Sequence, residues 1–570
     1  MTITIGINAN HADSSICVFD KNRLIFAIEE ERINRIKHWA GVPFESIKFA
    51  MEYCDIKPNQ ITNITLNTNP LSNINRKIYY YIKNYLFSKK SKEIFFRQKL
   101  KLKIKNQLSQ FIGNSNIKYH YIDHHLCHIS SAFYPSNFQK AAALSIDGFG
   151  DFCSCTIAEC SEDQISIKEK VFFPHSIGVF YEAMTQLIGF NKYGEEYKMM
   201  GLSSYGNPKY KDVLKKNLFL DQKLLELNLK FFNHTQRDFS YSFVGSPEQN
   251  KIFNKNIFKL LGINKDDLVN VDLKRDLASS AQLIYEEFLI SILIKVRKNN
   301  YSNNLVYAGG CALNSLANMR LFDYFENVFI PYAPGDSGGC IGSALNFLSN
   351  KYSSFLNLDT PYIGPKFSRN DINLTINKFN FSKKIIKKKF DNEDLFLDEV
   401  VNLLLKNKVI GLFNDRMEFG ARALGNRSII ANPQSNEMKD IINKKIKRRE
   451  NFRPFAPAIL EEEKYKWFSN ARANPYMSNV ETVIESKRKQ IPAVTHFDGT
   501  GRVQSVSKKT NSFFYQIIAK FYAKTNVPIL LNTSFNENEP IVLKPEEALS
   551  CFDRTDMDVI ILDNFILIKD

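Results

Sequence analysis

The chain has 570 residues, 44% of them hydrophobic and 24% charged, a globular composition that excludes a disordered or fibrous protein. At roughly 100–200 residues per domain, it holds about three domains or two large ones. A formal net charge of +16 suggests nucleic-acid binding, but Arg76–Lys105 carries eleven Lys/Arg against one acid, Glu93, and supplies +10 of that charge alone. A protein that tracks phosphate backbone spreads its basic charge along a face or groove, so no nucleic-acid partner is expected.

Taken in chain order, Thr2–Gly6, Ser15–Phe19 and Leu24–Ile28 read as strands, the first two joined by a small-residue turn. Ala141–Ile146 is a buried-strand candidate ending at Asp147-Gly148, and Cys153–Glu159 is the next. Asn304–Tyr307 runs into Gly309-Gly310 and an expected helix, Cys311–Leu321. Val328–Tyr332 runs into Pro334-Gly335-Asp336 and an expected helix, Cys340–Leu348. Strands alternating with helices, with glycines at the junctions, predict an α/β protein. The Pro/Gly-bearing crossing Leu358–Pro365 predicts a boundary near residue 355, dividing the chain into domains 1-355 (with an insert at 75-120) and 356-570. The second domain reads as a helix near Leu395–Lys406, a strand Val409–Phe413, and strands near Val527–Leu531 and Val559–Ile566. No apolar run approaches the roughly 18 residues of a membrane span. The first residues lack the basic stretch of a signal peptide, and nine scattered cysteines suit reduced thiols in a cytoplasm.

Three constellations carry chemistry. In Asp123-His124-His125-Leu126-Cys127-His128, His124 and His128 stand at i and i+4, one helical turn apart on one face, where two imidazoles can share a metal ion. His125 is three residues from His128, so spacing alone leaves the pair open. Asp147 and Asp336, each at a strand end in a glycine-rich turn, are candidates to complete the set, and His-His-Asp-Asp suits iron(II), manganese or zinc. The second constellation is the Gly6–Ser15 turn, Asp147–Asp151 and Gly309-Gly310, in the order seen in actin/Hsp70/sugar-kinase nucleotide sites. The third lies in the second domain: Arg422 in a Gly/Ala loop, then Lys447-Arg448-Arg449 and Arg453 among Phe452, Pro454 and Phe455, then Asp498–Arg502 and Leu531–Asn536. Guanidinium groups fixed between packing residues suit phosphate or carboxylate.

Eleven ordered motifs, among them GINANHADSS, EEERINRIKH, DHHLCH, SIDGFGD, AGGCALN, PYAPGDSGG, FGARALGNRS, RRENFRPFAP and LNTSFN, give the chain a resemblance to the NodU/CmcH family of O-carbamoyltransferases over nearly its whole length. The resemblance implies an actin/Hsp70-like (ASKHA) N-terminal domain and a YrdC-like C-terminal α/β domain. It implies that carbamoyl phosphate and ATP, with Mg(2+), form carbamoyl adenylate in the second, and that the carbamoyl group then passes in the first to a hydroxyl of a small molecule or sugar. It matches His124, His128, Asp147 and Asp336 to metal ligands, with Fe(2+) the expected ion. It matches His11 to the base that deprotonates the acceptor and Lys37 to a basic position near the intermediate. Gly309, Gly310 and Asn314 match the adenylate-binding loop, and Arg422, Lys447, Arg453, Arg502 and Asn532 match the carbamoyl-phosphate and ATP groups. A tRNA threonylcarbamoyl-type enzyme is the alternative. The basic insert carries no motif of the family. With Tyr79, Ile82, Leu86 and Phe87 interleaved among its lysines, it reads either as a solvated amphipathic helical pair packed on the actin-like domain or as a docking surface for an anionic acceptor or membrane.

Overall fold

The computed structural model describes residues 2–85, 89–162, 164–220, 225–236, 239–242 and 245–570, with 85 and 89–100 described as backbone only. It forms two compact units, Met1–Asp359 and Thr360–Asp570, whose boundary falls inside the expected Pro/Gly crossing.

The first unit holds two five-stranded sheets of the same design. In one, β1 (Ile3–Asn8), β2 (Ser15–Asp20) and β3 (Arg23–Glu29) form an antiparallel meander, and β4 (Ile61–Leu66) and β5 (Lys118–Tyr121) extend it parallel to β1, in the order β3-β2-β1-β4-β5. In the other, β6 (Lys140–Gly150), β7 (Cys153–Ser161) and β8 (Ile165–Phe172) form the meander, and β9 (Asn304–Ala308) and β10 (Asn327–Phe329) run parallel to β6, in the order β8-β7-β6-β9-β10. The central strand β1 is buried along its whole length, its Ile3, Ile5 and Ile7 alternating with Thr4, Gly6 and Asn8.

Helices bring the sheet ends together. Helix His124–Phe133 follows β5, and helix Gly339–Leu348 follows β10. A Cβ at Gly342 would lie 1.8 Å from the Cys127 carbonyl oxygen, and one at Gly6 would lie 2.1 Å from that of Cys340. Both glycines are therefore required by backbone contact, and together they press the histidine helix, helix Gly339–Leu348 and β1 into one layer. The insert between β4 and β5 is a helical pair, Ile74–Tyr85 and Lys89–Ile112. Tyr79 is 68% exposed and Ile82 57%, while Leu86 and Phe87 lie outside the described residues.

One expectation changes in this unit. Cys311–Leu321 is not one helix but two 3-10 turns, Gly310–Leu313 and Ala317–Asp323. Between them the Asn314 side chain accepts a hydrogen bond from the Ala317 N–H (3.1 Å), local bonding that competes with helix propagation. Among the described residues, one helix, Val271–Lys298, is long and apolar enough by length and composition to cross a membrane, but most of that stretch, with Leu277, Ala281, Leu289 and Leu293, is buried inside the unit as a core helix.

The second unit is built on an eight-stranded mixed sheet. Its order is Ile385–Lys389, Phe565–Lys569, Val559–Leu562, Ile410–Phe413, Arg427–Ala431, Ile529–Ser534, Ala456–Leu460, Gln504–Val506. The expected strand Val559–Ile566 is instead a hairpin, turned at Asp563, whose φ is +51°. Helices Glu393–Leu405 and Ser512–Thr525 join one core through Phe396, Leu397, Val400, Phe514, Ile517 and Phe521.

Candidate metal centre and anion site

His124 opens its helix because Asp123 caps it, its carboxylate accepting from the N–H groups of His125 (3.0 Å) and Leu126 (3.3 Å). The helical phase then decides which histidines meet. His124 Nε2 and His128 Nε2 lie 3.0 Å apart, and Asp147 Oδ2 lies 3.0 Å from the first and 3.2 Å from the second. Asp336 Oδ1 approaches the same two atoms at 3.4 and 3.5 Å. His125 turns away, its Nδ1 2.8 Å from Ser145 Oγ. The strand ends do the rest: β6 delivers Asp147, and the turn after β10 delivers Asp336. A Cβ at Gly150 would lie 1.9 Å from His124 Cδ2, so the glycine after Asp147-Gly148-Phe149 leaves room for the imidazole.

One ligand-type atom from each of the four residues lies within 4.8 Å of the others. Their charges are mutually adjusted. Burial pushes Asp147 up, but its hydrogen bonds to His124 and His128 hold it well below the usual carboxylate range. Burial and the charge of Asp147 push Asp336 up. Burial opposes the charge on His128, yet its bonds to Asp147 and Asp336 raise it to about 9. Two imidazole nitrogens facing each other around a carboxylate oxygen fit a divalent cation, which takes the place of the protons these groups otherwise share.

His11 is buried, and its ring stacks on that of His124 with centroids 4.9 Å apart and planes at 27°. Burial, reinforced by the charges of His124 and Lys101, pushes its pKa well below the usual imidazole range, so the ring is neutral near pH 7. Asp147 Oδ1 accepts the N–H of Gly148 (2.8 Å) and that of Gly310 (3.3 Å), which ties the Gly-Gly turn to the cluster. Gly309 has φ +98°, and a Cβ there would lie 2.1 Å from the Ile146 carbonyl oxygen. Asn314 exchanges two hydrogen bonds with Gln282 (3.1 and 3.2 Å), which also accepts from Tyr181 Oη (2.7 Å). Lys37 is exposed on the turn after helix Glu31–Asn34. Beside it is a group the sequence reading missed: His38 Nδ1 lies 2.8 Å from Asp13 Oδ1, and Glu31 accepts the His38 N–H (2.8 Å). The EEERINRIKH and NANHADSS motifs were the available signal.

In the second unit, Arg422, Arg449, Arg453 and Arg502 act on one another. Burial, then the charges of Arg422, Arg449 and Arg453, push Arg502 well below the usual guanidinium value. Arg449 donates to Asn443 Oδ1 (2.7 Å) and lies over the buried Phe455 ring at 4.8 Å, and Arg453 Nη1 is 3.4 Å from Glu450. Mutually repelling guanidinium groups held by packing have the chemistry of an anion-binding candidate. Lys447 is placed differently from the arginines. Its ammonium is buried and donates to the carbonyls of Ser534 (2.5 Å) and Asn536 (2.7 Å) and to Asn536 Oδ1 (2.7 Å), which occupies its three protons. Asn532 donates to the Ala423 carbonyl (3.1 Å) and to Gln504 Oε1 (2.7 Å), bracing the loop that carries Arg422.

Comparison with known proteins covers both units. Residues 3–345 match the family described as Carbamoyltransferase N-terminus, and residues 401–569 match Carbamoyltransferase C-terminus. An uncharacterized protein of Synechocystis is 34% identical over 100% of this chain and 97% of its own length. Nodulation protein NolNO of Sinorhizobium fredii is 31% identical over 98% of this chain and 79% of its own, and nodulation protein NolO of Bradyrhizobium diazoefficiens is 33% identical over 79% of each. The crystal structure of HypF from T. kodakarensis aligns with 61% of this chain and 47% of its own at 12% identity and a TM-score of 0.32, too low to carry an inference. With both halves matched in order and relatives aligned over most of the chain, the chain belongs to the carbamoyltransferase family and is a carbamoyltransferase enzyme.

Proposed function

We propose that the enzyme is an O-carbamoyltransferase working in two half-reactions. In the unit Thr360–Asp570, read as YrdC-like, water cleaves carbamoyl phosphate to carbamate and inorganic phosphate, and the carbamate oxygen then attacks the α-phosphate of ATP, forming carbamoyl adenylate as pyrophosphate departs. The unit Met1–Asp359, whose doubled sheet supports the actin/Hsp70-like reading, transfers the carbamoyl group. There the oxygen of an acceptor hydroxyl attacks the carbamoyl carbon, AMP departs with the bonding electron pair, and the hydroxyl proton passes to His11. A small-molecule or sugar hydroxyl is the acceptor class.

The observation that carries this reading is His11 stacked on His124: a neutral, buried imidazole placed against a cluster built for a cation. A general base serves when it is unprotonated at working pH, and burial secures that here. His124, His128, Asp147 and Asp336 would hold iron(II), with zinc and manganese accepted by the same donors. Such an ion supplies Lewis-acid polarisation of a bound oxygen. The Gly310 N–H faces the same cluster, and Gly309 opens the backbone for close approach of a nucleotide phosphate. In the other unit, Arg422, Arg453 and Arg502 neutralise phosphate charge, while Lys447 and Asn532 hold the walls. The family match over both halves does not favour the threonylcarbamoyl alternative.

The test is mass spectrometry of glycosides and nucleotide-sugars incubated with the enzyme, ATP and carbamoyl phosphate, alongside a pyrophosphate assay. Pyrophosphate release that depends on carbamoyl phosphate, with one added carbamoyl mass on an acceptor, is expected. Release indifferent to carbamoyl phosphate overturns the adenylate route.

A further inference from the structure

The second helix of the lysine-rich insert buries one stripe against the first unit. On helix Lys89–Ile112, Ile104, Leu108 and Ile112 are buried, and Lys101 stands one turn before Ile104 on that same inward stripe. Its side chain is 17% exposed, and its ammonium donates to Thr68 Oγ1 (2.8 Å) and lies 3.3 Å from Asp151 Oδ1. Asp151 is fully buried. Its Oδ1 also accepts from the Thr68 hydroxyl (2.7 Å), and its Oδ2 accepts the N–H of Asn69 (2.7 Å) and the N–H of His124 itself (3.1 Å). Lys77, from the insert's other helix, is 3% exposed, donates to the Pro70 carbonyl (3.2 Å), and is the second cation acting on Asp151.

We propose that Lys101 is a positioning residue for the carbamoyl-transfer site: its ammonium compensates the buried Asp151 carboxylate, and Asp151 anchors the first N–H of the helix that carries His124 and His128. The insert is thereby coupled to the histidine pair. The link to catalysis rests on the metal reading above, but the link between Lys101 and the helix does not. Burial would push Asp151 up, and the Lys101 charge, the Asn69 N–H and the Lys77 charge together hold it well below the usual carboxylate range. Removing one partner of a buried ion pair leaves an uncompensated charge, whereas removing both is close to neutral. That asymmetry separates a specific coupling from general loss of packing.

The experiment compares Lys101→Met, Lys101→Arg, Asp151→Asn and the double variant Lys101→Met/Asp151→Asn in the full chain. Hydrogen–deuterium exchange is followed in the peptide spanning 122–133, and Zn(2+) binding is titrated separately. Lys101→Met should speed exchange in that peptide about tenfold and weaken Zn(2+) binding by a similar factor, with peptides of 360–570 unchanged. Lys101→Arg should retain wild-type behaviour, and the double variant should recover most of what Lys101→Met loses. Unchanged exchange in Lys101→Met, or losses that simply multiply in the double variant, overturns the proposal. A wild-type protein that binds no Zn(2+) counts against the metal reading, and the exchange cycle still decides the role of Lys101.

Discussion

His124 Nε2 and His128 Nε2 lie 3.0 Å apart, and both face one oxygen of Asp147. Only one proton fits between two imidazole nitrogens at that distance, and the second carboxylate, Asp336, is left raised and dependent on its neighbours. These four donors are a candidate cation site, where binding would compete with their protons.

The expected outcome is about one divalent ion per chain in protein purified without oxygen, measured by elemental analysis. Saturation at about 100 times Kd should add about 2.7 kcal/mol to the stability of the first unit, seen as a rise in Tm. His128→Ala should lose the ion and carbamoyl transfer together. An active protein free of metal would end this reading.

The two half-reactions should separate by mutation. Arg453→Ala removes a guanidinium from the arginine group and should abolish carbamoyl-phosphate-dependent pyrophosphate release. His11→Ala should spare that release and slow transfer by about 10²–10⁴-fold, the usual loss for a general base. Transfer by His11→Ala at the wild-type rate shows that another group takes the proton.

Some of this site is legible in the sequence and some is not, for physical reasons. His124, His128, Asp147 and Asp336 are legible because helical spacing and strand-end glycines constrain where side chains point. The choice between His124 and His125 as the partner of His128 needs the helix phase, which the Ser145 contact of His125 reveals. The helix expected over Cys311–Leu321 fails because an Asn side chain, not an apolar period, decides the local path. Lys101 is hidden among the many Lys/Arg of its segment, and only the inward phase of Ile104 and Leu108 distinguishes it. Lys447 looks like an anion binder by composition, yet its neighbours at Ser534 and Asn536 come from a strand end far along the chain.

Glu418 should prove to hold the Arg422 loop. Its Oε1 accepts three backbone N–H groups, from Leu424 (2.6 Å), Arg427 (3.2 Å) and Asn426 (3.4 Å), and the residue is buried. Hydrogen bonds to a charged acceptor are worth about 1.5–3 kcal/mol each, so Glu418→Ala should cost about 2 kcal/mol or more. For a unit of this size that lowers Tm by about 4–8 °C. The KM for carbamoyl phosphate should rise with it, and Glu418→Gln, which keeps an acceptor oxygen, should be milder in both. Equal losses in the two variants would assign the effect to charge instead of loop geometry.

The His38–Asp13 pair predicts a pH dependence of stability. Burial alone would lower the His38 pKa, but Asp13, Glu31 and Glu196 outweigh it and raise the value to about 9. The unfolded value is about 6.5. The folded value is the higher one, so the folded state binds the proton more tightly. The contribution is therefore fully present below about pH 6.5 and is lost as pH rises through about 9. Thermal unfolding of wild type and Asp13→Asn across pH 6–10 reads this directly. The Tm gap between them should be widest at pH 6 and should shrink steadily to a small remainder by pH 10, because an uncharged imidazole gains little from the carboxylate that Asp13→Asn removes. A gap that is constant with pH would mean that Asp13 supports the turn through its backbone geometry, φ +53°, and that the imidazolium carries no charge worth neutralising.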